Sequence, residues 1–238
     1  MDHRLQSPVR WGLGDFVWIY VAGFVGSGIF AGIGFALTGD TSDHYGALTL
    51  ALLVAGQYGV WFAALLFISY RKGQGSLERD FGLAVRVKRL WALLAGIGAT
   101  LALGVIVTPI VNLTNGQKEQ VVNDLAQSQG AKRAVFLLTA ALVAPVLEEL
   151  FFRGLLLRSL RRHFSPVVAV ALSALVFALA HLTGGATLGT TAVIPALFGL
   201  GLISGIAAVR TGDLSISIPL HIGFNLLTVA QYALLVHR

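Results

Sequence analysis

The chain has 238 residues, of which 56% are hydrophobic and only 12% charged, with a mean hydropathy of +0.79. A soluble domain carries about a quarter charged residues, so this chain cannot cover itself in water and its outer surface must face lipid. The absence of Cys excludes disulfides, thiolate metal ligands and cysteine catalysis, and the net charge of +6 sits between apolar stretches rather than on a nucleic-acid-binding face.

A crossing helix needs about 20 apolar residues, and seven stretches come near that length, at 12–38, 47–70, 91–111, 134–157, 166–182, 192–209 and 214–236. The fold expected is all-α: a polytopic membrane helix bundle of about seven spans in one domain, 1–238. The first stretch is too long for a secretory core and has no convincing cleavage site, so it reads as retained. The fourth is expected to continue as a helix to about residue 163, leaving the membrane on Arg158, Arg161, Arg162 and His163.

Lys and Arg set the orientation. Arg4 and Arg10 precede the first stretch, and Arg71, Lys72, Arg79, Arg86, Lys88 and Arg89 lie between the second and third. Arg158, Arg161 and Arg162 follow the fourth, and Arg210 follows the sixth. The alternate connections are poor in them, apart from Lys118, Lys132 and Arg133. This balance predicts the N-terminus in the cytoplasm, in what would be the plasma membrane of a bacterium.

The basic connection 73–89 mixes Leu77, Phe81, Leu83, Val85 and Val87 with charges and reads either as an interfacial helix or as a solvated loop. Residues 112–131 read as a polar outer loop, and the sequon Asn112-Leu113-Thr114 within it carries no weight, since three-residue matches arise often by chance. Gly28 with Gly32, and Gly201 with Gly205, form small-xxx-small pairs, expected to be helix-packing contacts.

Of the eleven acidic residues, nine fall in tails, loops or, for Asp15, near the end of a span. Glu148 and Glu149 alone stand well inside apolar sequence, where one carboxylate costs ~2.5–3.5 kcal/mol to insert. Glu149 and Arg153 are four apart, the favourable order for an ion pair on one helix face. Glu148 is turned away by about 100° and must find its partner on another helix. Pro145 removes a backbone hydrogen bond just upstream, where the helix can open to water.

Histidines repeat the pattern. His3, His44, His163 and His237 lie in tails or connections, whereas His181 ends the fifth stretch, four residues after Phe177. His221 lies in the seventh, and Asn225 shares its helix face. Counted from the cytoplasmic helix ends, Glu148 is ~15 Å deep, His221 ~10 Å and His181 ~22 Å. The expected cluster therefore lies in the cytoplasmic-to-middle part of the bilayer, reached by water from inside.

These groups suffice for peptide hydrolysis without a covalent intermediate: a Glu/His pair takes a proton from water, while a His and an Asn amide stabilise the oxyanion. Two His and a Glu are also the ligand set of a hydrolytic zinc site, in which Glu149, His181 and His221 would bind the ion. The His-Glu-x-x-His helix that would make zinc the default is absent from the sequence.

Glu148-Glu149-x-x-x-Arg153-Gly154, Phe177-x-x-x-His181 and His221-x-x-x-Asn225, in that order, resemble the three motifs of the CAAX prenyl protease and bacteriocin-processing family of intramembrane endopeptidases. Phe198-x-x-Gly201-x-x-x-Gly205 and Thr211-Gly212-x-Leu214 between them fit as well. The resemblance covers roughly 130–230, a family-like catalytic core, and leaves the N-terminal spans, 1–115, outside it. It implies that Glu148 and His181 activate water, that His221 and Asn225 stabilise the oxyanion, and that Glu149, Arg153 and Phe177 support them. The metal-free route is favoured, with no cofactor required. The expected substrate is a peptide or protein, either prenylated or carrying a leader, and the expected surroundings are lipid, with no nucleic acid. Two rivals stand beside this reading: a non-catalytic immunity or regulatory protein on the same fold, and a proton-coupled transporter, which would predict an internal repeat that the sequence lacks.

Overall fold

The computed structural model describes residues 9–113, 128–184 and 191–236. Those residues form an all-helical bundle: α1 (Leu13–Thr38), α2 (Ala47–Lys72), the short α3 (Leu77–Phe81), α4 (Ala92–Leu113), the composite α5 (Gly130–Leu160), α6 (Pro166–Ala180), α7 (Ile194–Thr211) and α8 (Ser217–Val236). Helices stand at all the expected stretches. Five are long and apolar enough to cross a membrane: Leu13–Thr38, Ala47–Lys72, Val87–Ile110, Gly130–Leu160 and Ile194–Thr211. Pro166–Ala180 is apolar but shorter, so length and composition do not establish the expected seven crossings. This is an integral membrane protein. His3, Arg4, Lys118, His237, the end of the sequon and most of the polar loop lie outside the described residues.

Close approaches set the packing. α1 and α2 meet where Gly26 and Gly56 face each other: a Cβ on Gly26 would come 2.6 Å from the Gly56 carbonyl oxygen. Gly28 and Gly32 face away from any neighbour, so that small-residue pair is not the contact expected. The α1 glycines buried against the bundle are Gly23, Gly26 and Gly34. Gly201 and Gly205 do pack as expected, against Ala174 and Val170 of α6. α4 and α8 touch backbone to backbone: a Cβ on Gly96 would strike the Leu220 carbonyl, and one on Gly223 the Leu93 carbonyl. Those two glycines bracket His221 and fix its height in the bundle.

The basic end is closed by packing, not by a loose loop. α3 is not a freely solvated segment: Phe81 is fully buried, and the Asp80 carboxylate accepts from Ser69 Oγ at 2.6 Å and from the Gln74 N–H at 2.9 Å. Arg158 donates to the carbonyls of Asp80 (3.1 Å) and Gly212 (2.7 Å), and the Leu214 N–H donates to the Gly82 carbonyl at 2.8 Å. Arg162 donates to the Trp11 carbonyl at 2.6 Å and lies over its ring at 4.2 Å. A basic connection can bury in this way because its carbonyls accept from Arg158 of α5 and its one buried carboxylate, Asp80, accepts from Ser69 and Gln74.

Asp213 accepts from Ser215 and pairs with Arg89 at 2.8 Å and Arg86 at 2.9 Å. Burial alone would raise its carboxyl, but the Ser215 bonds and the two guanidiniums outweigh that and hold it below the usual carboxylate range.

Gly82 takes the left-handed conformation (φ 77°), and a Cβ there would meet the Arg158 guanidinium and come 3.2 Å from Asp213 Cα. Gly82→Ala is expected to destabilise by more than ~1 kcal/mol, because alanine must adopt a positive φ with no room for its methyl. The thermal midpoint of the purified variant in detergent measures it.

Candidate active site

α5 holds the first motif, and it is not a regular α-helix. Thr139–Val143 and Glu149–Leu157 take the wider π form, which recurs at functional sites. The Ala144 N–H bonds to the Thr139 carbonyl, five residues back. In that register the next donor, due to meet the Ala140 carbonyl, would be Pro145, which has none. Asn225 of α8 fills the place, its Nδ2 donating to Ala140 at 2.8 Å. The Pro145 opening thus fixes one motif against another.

Both glutamates meet His221. Glu149 is fully buried, with Oε1 3.1 Å from Arg153 Nη1 and accepting from His221 Nδ1 at 3.0 Å. The Arg153 guanidinium makes no aligned hydrogen bond and lies 4.3 Å over the Phe177 ring, so charge and the ring face hold it. Glu148 has the cross-helix partner that the sequence demands: Oε1 accepts from the Tyr58 hydroxyl of α2 at 2.9 Å, while Oε2 stands 3.8 Å from His221 Nε2. That gap is wide for a direct bond and suits a bridging water.

His181 donates from Nδ1 to the Phe177 carbonyl at 2.8 Å. A carbonyl only accepts, so in the neutral ring Nε2 carries the lone pair. Phe177 is the hub of the motifs, edge-on to both His181 (4.8 Å) and His221 (5.6 Å) between ring centres.

Glu148, His181, His221 and Asn225 all line one cavity of about 450 Å³, together with Tyr58. Its walls rise along α2 to Leu50, along α4 to Val107, along α5 to Phe136 and along α8 to Gln231. From Tyr58 to Leu50 is ~12 Å, and from His221 to Gln231 ~15 Å, in each case away from the basic end. The basic-end turns of α5 pack Leu150, Phe151, Phe152, Leu155 and Leu157 solidly around Phe81. A second recess of about 230 Å³ at the basic end reaches Arg153 and Asp213 but none of the residues on the Glu148 side.

Among the described residues, no three His, Asp or Glu side chains stand in metal-ligating geometry. Of the zinc set considered from the sequence, Glu149 is held by Arg153 and by His221 Nδ1, while His181 gives its Nδ1 to a carbonyl and keeps Nε2 free. No step below passes through a metal.

Tyr58 is the site residue that motif reading missed. Its signal was present: Gln57 and Tyr58 interrupt the second apolar stretch at its middle.

Residues 130–227 match the family described as Type II CAAX prenyl endopeptidase Rce1-like, a protease family. No curated protein and no solved structure gives a match. The matched segment contains all three motifs gathered around the cavity, and over it the chain is similar to that endopeptidase family.

Proposed function

We propose that the chain is an intramembrane endopeptidase that hydrolyses a peptide bond with water activated by Glu148 and His181. The observation that carries this reading is the gathering of one acid, two histidines and an amide, drawn from α5, the end of α6 and α8, around one cavity. A carboxylate buried in lipid without a task is costly, and Glu148 is not spent on a structural cation; Arg153 is paired to Glu149 instead.

Water held by Glu148 and His181 Nε2 gives one proton to the Glu148 carboxylate as its oxygen attacks the carbonyl carbon. The oxyanion that develops accepts from the second N–H of Asn225, whose first is spent on Ala140, and from His221 Nε2 when that ring carries both protons. Glu149 accepts from His221 Nδ1 and so fixes the ring. The C–N bond then breaks, the proton on Glu148 passes to the amine nitrogen, and an amine and a carboxylic acid leave, the acid losing the second water proton to solvent. The proposed substrate is a peptide or protein, either prenylated or carrying a leader, and the proposed setting is a bacterial plasma membrane.

The purified protein, incubated with a peptide library, is expected to generate new termini detectable by mass spectrometry. Proton flux in vesicles without cleavage would favour a transporter, and neither cleavage nor flux a non-catalytic partner.

Tyr58→Phe removes one charge-assisted hydrogen bond to Glu148, worth ~1.5–3 kcal/mol. It is expected to lower kcat by about tenfold or more with KM little changed, as measured by steady-state cleavage.

A further inference from the structure

We infer that the recess at the basic end, between α5, α7 and the turn that follows α7, is a phosphate site that seats the headgroup of an anionic phospholipid. The inference is independent of the peptidase reading, because the recess reaches none of Glu148, His181, His221 and Asn225.

The sequence places the cations. Arg153, Arg158 and Arg161 lie on the last turns of α5 and at its end, and all three line the recess, whose volume is about 230 Å³. The crossing helix Gly130–Leu160 stops just before Arg161, so the recess stands where the hydrocarbon gives way to the headgroups. Arg161 and Gly212 are exposed at its rim, while Arg153 is 1% exposed at its inner end.

The balance of charge decides the sign of the ligand. Glu149 stands against Arg153, and Asp213, the one carboxylate in the lining, already pairs with both Arg86 and Arg89. Arg158 donates to the carbonyls of Arg79, Asp80 and Gly212, which hold its guanidinium in place without cancelling its charge. The Arg161 guanidinium has no partner among the described residues. Arg158 and Arg161 therefore share the recess with no anion of their own, an arrangement that a bound anion relieves. Phosphate suits them best, since a guanidinium offers its N–H groups in a fork that matches two phosphate oxygens.

Free phosphate and a lipid headgroup share that chemistry, and the wall of α7 favours the lipid. Ile203, Ile206 and Val209 follow at three-residue spacing and so form one row along the helix. Val209 lines the recess, whereas Ile203 and Ile206 are 38% and 42% exposed. A headgroup on Arg158 and Arg161 lays its acyl chain along that row. Basic pockets between crossing helices take anionic headgroups in this way.

The purified full chain in a neutral detergent is titrated in turn with dioleoyl phosphatidylglycerol, dioleoyl phosphatidylcholine and inorganic phosphate, and bound ligand is counted by native mass spectrometry. Phosphatidylglycerol is expected to bind saturably and about tenfold or more tighter than phosphatidylcholine, whose ammonium group meets the two guanidiniums. Arg161 has no side-chain bond to lose, so Arg161→Gln should fold as the wild type does, and it is expected to weaken phosphatidylglycerol about fivefold. Lys88→Gln removes one exposed charge from the same end but outside the recess, and should leave binding unchanged. Equal losses in the two variants would mean diffuse attraction to a basic surface and would overturn the site, as would equal binding of the two lipids. Inorganic phosphate that binds as tightly as phosphatidylglycerol, and is lost in Arg161→Gln, would overturn the assignment to a lipid. None of these readouts needs cleavage, so the peptidase reading stands or falls separately.

Discussion

Glu148→Gln is expected to lower kcat by ~10²–10⁴ while leaving the fold intact. The substitution keeps the shape of the side chain, and its amide oxygen can still accept from Tyr58 at the position of Oε1. What it removes is the group that takes the proton from water and returns it to the leaving amine. The Glu148 side chain is 12% exposed on the cavity floor and pairs with no arginine, so no buried cation is stranded. Activity should collapse with little change in the thermal midpoint. A parallel loss of both would mean that Glu148 is structural.

Glu149→Ala is expected to do the reverse. Its carboxylate and the Arg153 guanidinium are both 0% exposed, and removal of one partner from a buried pair costs ~3–5 kcal/mol because the other charge remains. A loss of that size lowers the thermal midpoint on the order of 10 °C. His221 also loses the acceptor on Nδ1, so whatever protein folds should be nearly inactive. Glu149→Leu combined with Arg153→Met removes both charges and is expected to recover much of the stability without the activity. Recovery of activity in that double variant would contradict the part given to Glu149 in orienting His221.

How much of this was legible in the sequence varies with the residue. The helices were legible because apolar runs of membrane length admit little else. Glu149–Arg153 was legible from spacing alone, and so was the need of Glu148 for a partner elsewhere. The identity of that partner was not: Tyr58 lies 90 residues away in a stretch that carries no motif. Nor could spacing reveal that His221 receives both glutamates, since that depends on α4 and α8 touching at Gly96 and Gly223. The π turns of α5 were hinted at only by Pro145, and their effect, freeing the Ala140 carbonyl for Asn225, is a matter of backbone register.

One expectation failed for a plain physical reason. Gly28 and Gly32 satisfied a small-residue pattern but lie on the exposed side of α1, because the pattern does not say which face meets a neighbour.

The most direct test of the account is the rate of new peptide termini formed by the reconstituted wild type beside Glu148→Gln, with matched thermal midpoints. Cleavage by the wild type and a loss of at least ~10² in the variant are the predicted result. Equal rates in the two, or a folded wild type that leaves every peptide of a broad library intact, would contradict it.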